Sequence, residues 1–162
     1  MENKMKLKTW DEIKRIVKEL KKSGKQVVFT NGCFDIIHAG HVQYLQEAKN
    51  LGDILIIGLN SDESVRKLKG KNRPLNNELN RAIVLSGFYF VDYVVIFGED
   101  TPYDLINLIK PDILVKGGDW KIQDIVGSDI VLKKKGKVKS LSFKDGFSTT
   151  KLINKIKKEK DR

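Results

Sequence analysis

The stretch VVFTNGCFDIIHAGHVQYLQEAKNLGDILIIGLN, residues 27–60, decides the fold. It opens on a β-branched and aromatic run, Val27-Val28-Phe29-Thr30, which suits a pleated strand. Apolar residues then recur at Val42, Leu45, Ala48 and Leu51 in a segment that starts at His41 and is closed by Gly52, the spacing and stop signal of a helix. Ile54-Leu55-Ile56-Ile57 follows as a second strand. Neither strand alternates apolar with polar residues, so each expects cover on both faces, as strands of a parallel sheet have.

The same alternation extends outward. Trp10, Ile13, Val17 and Leu20 predict an amphipathic helix over residues 9–22, ended by Ser23-Gly24. Downstream, the pattern predicts a helix over 62–68 and a loop, Lys69-Gly70-Lys71-Asn72-Arg73-Pro74, too basic and too rich in Gly and Pro to pack. A helix over 77–88, a third strand over 93–97 and a helix opened by Thr101-Pro102, with Pro at its first position, come next. A fourth strand over 113–115, a weaker fifth over 138–141 and a last helix over 148–157 complete the chain. The expected architecture is α/β: a Rossmann-like, doubly wound, five-stranded parallel sheet in a single domain. Residues 1–25 form an N-terminal amphipathic helix, and residues 26–162 form the main domain ending in a basic helix. Ligands of such sheets bind outside the carboxyl ends of the strands, near the point where strand order reverses.

Composition bounds the function. The 162 residues carry 31 Lys+Arg against 21 Asp+Glu, a net charge of +10, with 40% hydrophobic residues, as a globular domain has. A pI near 9.6 invites a nucleic-acid reading. The location of the charge argues against it: residues 1–25 hold a balance of +5, residues 151–162 hold +4, and the 125 residues between them +1. Two helices with Lys on their outer faces account for the excess. Only Arg15, Arg66, Arg73, Arg81 and Arg162 are arginines, the better residue for bidentate recognition. One cysteine, Cys33, excludes an intrachain disulfide and points to a reducing compartment. No leader-like apolar segment follows the polar N-terminus and no run is long enough to span a bilayer, so a cytoplasmic protein is expected.

Chemistry-bearing residues follow the strands. Both histidines of the chain stand in His38-Ala39-Gly40-His41, at the entry to a helix whose free N–H groups attract phosphate. Gly40 lets a ligand approach the backbone. The helix dipole disfavours a protonated imidazole there, so a neutral, hydrogen-bond-donating histidine is expected. Satisfied core histidines are the plainer alternative. A metal site with Cys33 and Asp35 is another, although C-x4-H-x2-H matches no zinc pattern and needs further ligands. The glycine fingerprints of dinucleotide-binding and P-loop proteins are absent. After the second strand, Ser61 or Asp62 reads as an N-cap; the loop holding Lys69 and Arg73 is either solvated or a lid that brings cations to a polyphosphate. Arg81 lies near a helix start, where a cation wants an anion nearby. Lys116-Gly117-Gly118-Asp119-Trp120 follows the fourth strand, and Ser148-Thr149-Thr150-Lys151 puts hydroxyls and a cation in the last helix's first turn.

Together these elements resemble the nucleotidyltransferase superfamily marked by an H-x-G-H helix start and a late [I/F]-S-T/S-T helix start, over residues 26–153. More narrowly, TNGCFDIIHAGHVQYL (30–45), LNSDESVRKLKGKNRP (59–74), VDYVVIFGEDTP (91–102), PDILVKGGDW (111–120) and DGFSTTKLI (145–153) are similar to the heptose 1-phosphate adenylyltransferase family, which makes ADP-heptose precursors for bacterial surface polysaccharides. The domain is often fused behind a sugar kinase in that family. The resemblance implies a reaction site of His38, His41, Lys69 and Arg81. It implies an ATP site of Asn31, Gly32, Cys33, Phe34, Asp35, His38, Gly40, His41, Lys116, Gly117, Asp119, Ser148, Thr149 and Thr150, and an acceptor site of Asp35, Asn60, Lys69, Arg73, Arg81 and Lys116. Mg2+ is expected with ATP, held by phosphate oxygens and water, with no protein metal site. Expected partners are ATP and a sugar 1-phosphate, D-glycero-D-manno-heptose 1-phosphate; neither nucleic acid nor membrane is expected, and the chain is expected to be a homodimer. A sugar 1-phosphate with a second pKa of about 6 is largely dianionic at neutral pH, so it needs neither a general base nor a covalent enzyme intermediate. Two rivals stand beside this reading: a cytidylyltransferase acting on a polyol or amino-alcohol phosphate, and a nucleotide- or nucleic-acid-binding module. Phe143 stands where the related glycerol-3-phosphate cytidylyltransferases carry Arg, which argues against that acceptor.

Overall fold

Five parallel strands in the order β3-β2-β1-β4-β5 form the sheet of the computed structural model. Residues 6–142 and 148–160 are described; Phe143, Gly146 and Phe147 lie outside them. The strands are β1 (Val27–Gly32), β2 (Ile54–Asn60), β3 (Tyr93–Phe97), β4 (Ile113–Gly117) and β5 (Lys137–Leu141). The helices are α1 (Trp10–Lys22), α2 (Ala39–Lys49), α3 (Asp62–Lys69), α4 (Glu78–Ser86), α5 (Tyr103–Ile109), α6 (Ser128–Lys133) and α7 (Thr149–Lys160).

Alternate residues of the strands feed two cores, which is why the strands are apolar throughout. Val28, Leu55, Ile57, Leu59, Val94, Ile113 and Val115 pack on one face against Tyr44, Leu45 and Ala48 of α2 and Ala82 and Leu85 of α4. Val27, Phe29, Ile56, Val95, Phe97 and Leu114 pack on the other against Ile13 and Val17 of α1 and Leu105, Ile106 and Ile109 of α5. The first helix is thus part of the second core. It begins at a capping box in which Thr9 Oγ1 accepts from Glu12 N at 3.2 Å and Glu12 Oε2 accepts from Thr9 N at 2.7 Å.

Several boundaries differ from the sequence expectation. β1, β2 and β4 run on through polar residues to Gly32, Asn60 and Gly117, because those positions extend the ladder to the ligand-facing edge. Helix α2 starts at Ala39 rather than His41, since His38 is extended (φ −138°, ψ 171°) and is the cap residue. Pro102 caps α5 instead of opening it. The short helix α6 was not anticipated; it begins after Gly127 (φ 84°), where a Cβ would stand 2.8 Å from Ile106.

The opening in the sheet lies beside β1. Its register with β2 runs from Val27 to Gly32, whereas only Val28 and Phe29 pair with β4. Beyond Phe29 and Leu114 the two strands part, and strand order reverses at this same boundary, the switch point where open α/β sheets bind ligands. Because Ile13 is fully buried against the sheet, Ile13→Ala is expected to lower the unfolding free energy by about 2–4 kcal/mol in urea titrations. Lys14→Ala, on the exposed face, should change it by less than about 0.5 kcal/mol.

Candidate active site

The carboxyl end of β1 and the loop after it build one wall of a cavity of about 180 Å³. Asn31, Gly32, Cys33, Phe34 and Asp35 line it, together with His41 and Tyr44 from α2. Phe34 is held at φ 45°, the left-handed region that a bulky residue rarely occupies, and its ring meets the His41 ring edge-on at 5.4 Å. His38 and His41 stack at 3.9 Å between centroids. The His38 N–H donates to His41 Nδ1 at 3.4 Å, which assigns the His41 proton to Nε2. Burial, and after it the neighbouring His38 and Lys69, push the His41 pKa down to about 4; burial also lowers His38. At neutral pH, His41 is therefore a neutral donor at the cavity wall.

Cations arrive from three further elements. Lys69 closes α3, Arg73 comes from the following loop and Lys116 from β4, and all three line the cavity with Gly117 and Thr149. Burial lowers the Lys116 pKa, with Cys33 acting against it, and its Nζ stands 5.9 Å from the centre of the Trp120 ring. Thr149 Oγ1 donates to the Ile36 carbonyl at 3.2 Å, which fastens the start of α7 to the loop after β1. A smaller adjoining cavity of about 90 Å³ shares Asn31 and Lys116 and adds Trp120, Asp124 and Ile125.

Other expected site residues are placed differently. Arg81, expected at the phosphates, does not line this cavity: it is 1% exposed and its guanidinium bonds inward. Nε donates to the Asn76 carbonyl at 2.9 Å, Nη1 to the Cys33 and Asn60 carbonyls at 2.6 and 2.8 Å, and Nη2 to Asp62 Oδ1 at 2.8 Å. The anion that a cation near this helix start required is Asp62 itself; Ser61, not Asp62, caps α3. Asn60 is buried and donates to Ser64 Oγ at 2.9 Å. Asp119 is exposed and accepts from Ser142 Oγ at 2.9 Å. Gly40 is buried within α2; Ser148 and Thr150 flank Thr149 without lining the cavity.

The loop after α3 is also better packed than its composition suggested. Residues 69–72 are exposed, but Arg73 Nε donates to Asp35 Oδ2 at 2.7 Å, and the Leu75 and Asn76 amides donate to the same carboxylate at 2.8–2.9 Å. Burial alone would raise the Asp35 carboxyl; the Asn76 and Leu75 amides and Arg73 outweigh it and hold it below the ordinary value. Tyr44 is the site residue that sequence reasoning missed. Its buried hydroxyl lies 2.5 Å from Thr30 Oγ1, and burial pushes its pKa up to about 12. Its position three residues after His41, on one face of α2, was the available signal.

Two outcomes follow from these placements. Between pH 6.5, the ordinary histidine value, and about 4, the unfolded chain binds a proton that folded His41 refuses. The contribution of His41 to stability is thus complete above that window and declines as pH falls through it, so thermal melts from pH 7 to 5 should drop further for the wild type than for His41→Gln. Arg81→Gln should cost about 2–4 kcal/mol in urea titrations, because it strips donors from three carbonyls and leaves Asp62 without its cation.

The chain matches the family described as Cytidylyltransferase-like over residues 29–155. The bifunctional protein HldE of Campylobacter jejuni subsp. doylei is 60% identical over 141 residues, 87% of this chain and 30% of that protein. HldE of Nitratiruptor sp. is 55% identical over 151 residues, 93% of this chain and 32% of that protein. The chain spans about a third of the length of these curated relatives. Among solved structures, a lipopolysaccharide core biosynthesis protein from Thermoplasma volcanium superposes with a TM-score of 0.60 at 30% identity, over 75% of this chain and 98% of that one. Pantoate-beta-alanine ligase from Francisella tularensis, at 16% identity and a TM-score of 0.57 over 84% of this chain and 66% of that one, shares the fold. A match running from β1 to α7, with relatives at this level of identity, settles the family: the chain belongs to the cytidylyltransferase-like nucleotidyltransferases.

Proposed function

We propose that the chain transfers the AMP moiety of ATP to a sugar 1-phosphate, D-glycero-D-manno-heptose 1-phosphate, giving ADP-heptose and pyrophosphate. The observation that carries this reading is the convergence of Lys69, Arg73 and Lys116 with a neutral His41 on one cavity at the switch point. Such a set neutralises and positions phosphates. The likeness to HldE proteins supports the sugar phosphate as acceptor.

The acceptor phosphate oxygen attacks the α-phosphorus of ATP in line; an O–P bond forms there as the bond to the β-phosphate oxygen breaks, and pyrophosphate leaves. The acceptor dianion needs no general base. The protein's part is position and charge: Lys69 and Lys116 face the phosphates, and His41 Nε2–H donates to a phosphoryl oxygen as negative charge builds on it. Among the described residues no group of three or more His, Cys, Asp and Glu is arranged to hold a metal, and the one carboxylate lining the cavity, Asp35, is occupied by Arg73 and two amides. Mg2+ would be held by the phosphate oxygens of ATP and by water, where it would supply charge neutralisation.

Pyrophosphate release, followed for ATP and CTP against a panel of phosphorylated acceptors, tests the reading. ATP with the heptose 1-phosphate should give the highest kcat/KM. Preference for CTP, or for a polyol phosphate, overturns the assigned specificity, and no release with any pair overturns the reaction. His41→Ala should lower kcat by about 10²–10³-fold, the loss expected for one charge-stabilising donor.

A further inference from the structure

We infer that Asp35 is a positioning residue: it aims the Arg73 guanidinium so that its Nη end forms a subsite for the phosphate of the acceptor. The inference rests on the reaction proposed above and changes the part played by Asp35, which binds no ligand itself.

The Asp35 side chain is only 1% exposed, and its two oxygens accept from Arg73 Nε and from the Leu75 and Asn76 amides. Asn76 returns the tie, donating from Nδ2 to the Asp35 carbonyl at 2.8 Å. The carboxylate therefore has little capacity left for a ligand, and magnesium or a sugar hydroxyl would have to displace these donors. Arg73 is in the opposite condition. Its Nε is engaged, but Nη2 is buried without a hydrogen-bond partner among the described residues. A buried guanidinium N–H with no acceptor is costly, and Arg73 lines the cavity together with Lys69 and Lys116. An oxyanion with several acceptor oxygens satisfies both the N–H and the excess charge, and a phosphate monoester matches the guanidinium fork. Fixing Nε on Asp35 removes the rotamer freedom that Arg73 would otherwise lose on binding.

The test uses the full chain as wild type, Asp35→Asn, Arg73→Lys and the double variant. Inorganic phosphate is titrated while the Arg73 Nε–Hε NMR resonance is followed, and acceptor and ATP kinetics are measured separately. In the wild type, phosphate should shift the Arg73 resonance saturably. Asp35→Asn should weaken phosphate binding and raise the acceptor KM about tenfold, the scale of one charge-assisted hydrogen bond, with the ATP KM within about twofold. In the double variant the acceptor KM should be no higher than in Arg73→Lys, because Asp35 acts only through the guanidinium. Arg73→Lys leaves the Leu75 and Asn76 bonds to Asp35 in place, so it carries the test if Asp35→Asn does not fold; despite the retained charge it should bind phosphate about tenfold more weakly, measured by calorimetry. An Arg73 resonance that ignores phosphate, equal rises in both KM values, additive losses in the double variant, or wild-type phosphate binding by Arg73→Lys each overturns the inference. If no sugar phosphate turns over, the reaction proposed above fails while the phosphate titrations still decide this one.

Discussion

One buried guanidinium holds the ligand-facing edge of this protein together. Arg81 reaches from α4 to the carbonyls of Cys33 after β1, Asn60 at the end of β2 and Asn76 in the loop before α4, and balances its charge on Asp62. Strand ends are where a sheet exhausts its own hydrogen bonding, so the carbonyls there need donors from elsewhere. A guanidinium supplies several in one plane, and Lys could not replace it. Because these carbonyls belong to segments that line or flank the cavity, the shape of the cleft depends on a residue that does not face it. Asp35 makes the complementary tie from the β1 side, so the loop carrying Arg73 is fixed between two charged groups.

Electrostatics separates the overall charge from the functional charge. The net +10 sits mostly near the two ends of the sequence, while the cavity gathers Lys69, Arg73 and Lys116 beside a histidine whose proton affinity has been lowered. A protonated histidine there would add a fourth cation to a crowded, partly buried site. Burial instead leaves His41 neutral, with Nδ1 accepting from the His38 amide and the proton on Nε2. That arrangement suits the phosphates of the proposed reaction, which needs no proton transfer.

The βαβ alternation, the five strands and the H-x-G-H helix start were legible because each depends on local periodicity and turn chemistry. The strand ends were less so: Asn31, Gly32, Asn60, Lys116 and Gly117 are polar or small, and their place in the ladder is set by neighbouring strands. The site was legible as far as residue type goes. Lys69, Arg73, Lys116, His41 and Thr149 do meet on one cavity. Direction was the missing quantity. Nothing in the spacing of Arg81 says that its side chain turns inward to three carbonyls, nor that Asp35, in a loop that lines the cavity, is consumed by amides forty residues away. Tyr44 was overlooked because a tyrosine at a helical apolar position reads as core, and its hydroxyl acquires meaning only beside Thr30, where β1 parts from β4.

The cations at this edge sort by how much of their donor capacity the fold consumes. Arg81 spends four hydrogen bonds on protein acceptors, Arg73 spends its Nε and keeps the Nη end, and Lys69 and Lys116 make no hydrogen bond to the described residues. That order suits the proposed transfer. A group that shapes the cleft must not move when a ligand arrives, and multiple short bonds to strand-end carbonyls prevent it. A group that registers the acceptor must be oriented yet unsatisfied, which one tie to Asp35 achieves. Groups that meet charge shifting from the α-phosphorus to a departing pyrophosphate must follow it, and a lysine on a flexible stem can do so where a clamped arginine cannot. Replacing Arg81 should therefore be felt first in folding and cleft shape, and replacing Lys69 or Lys116 in turnover, although all are basic residues at the same edge of one sheet.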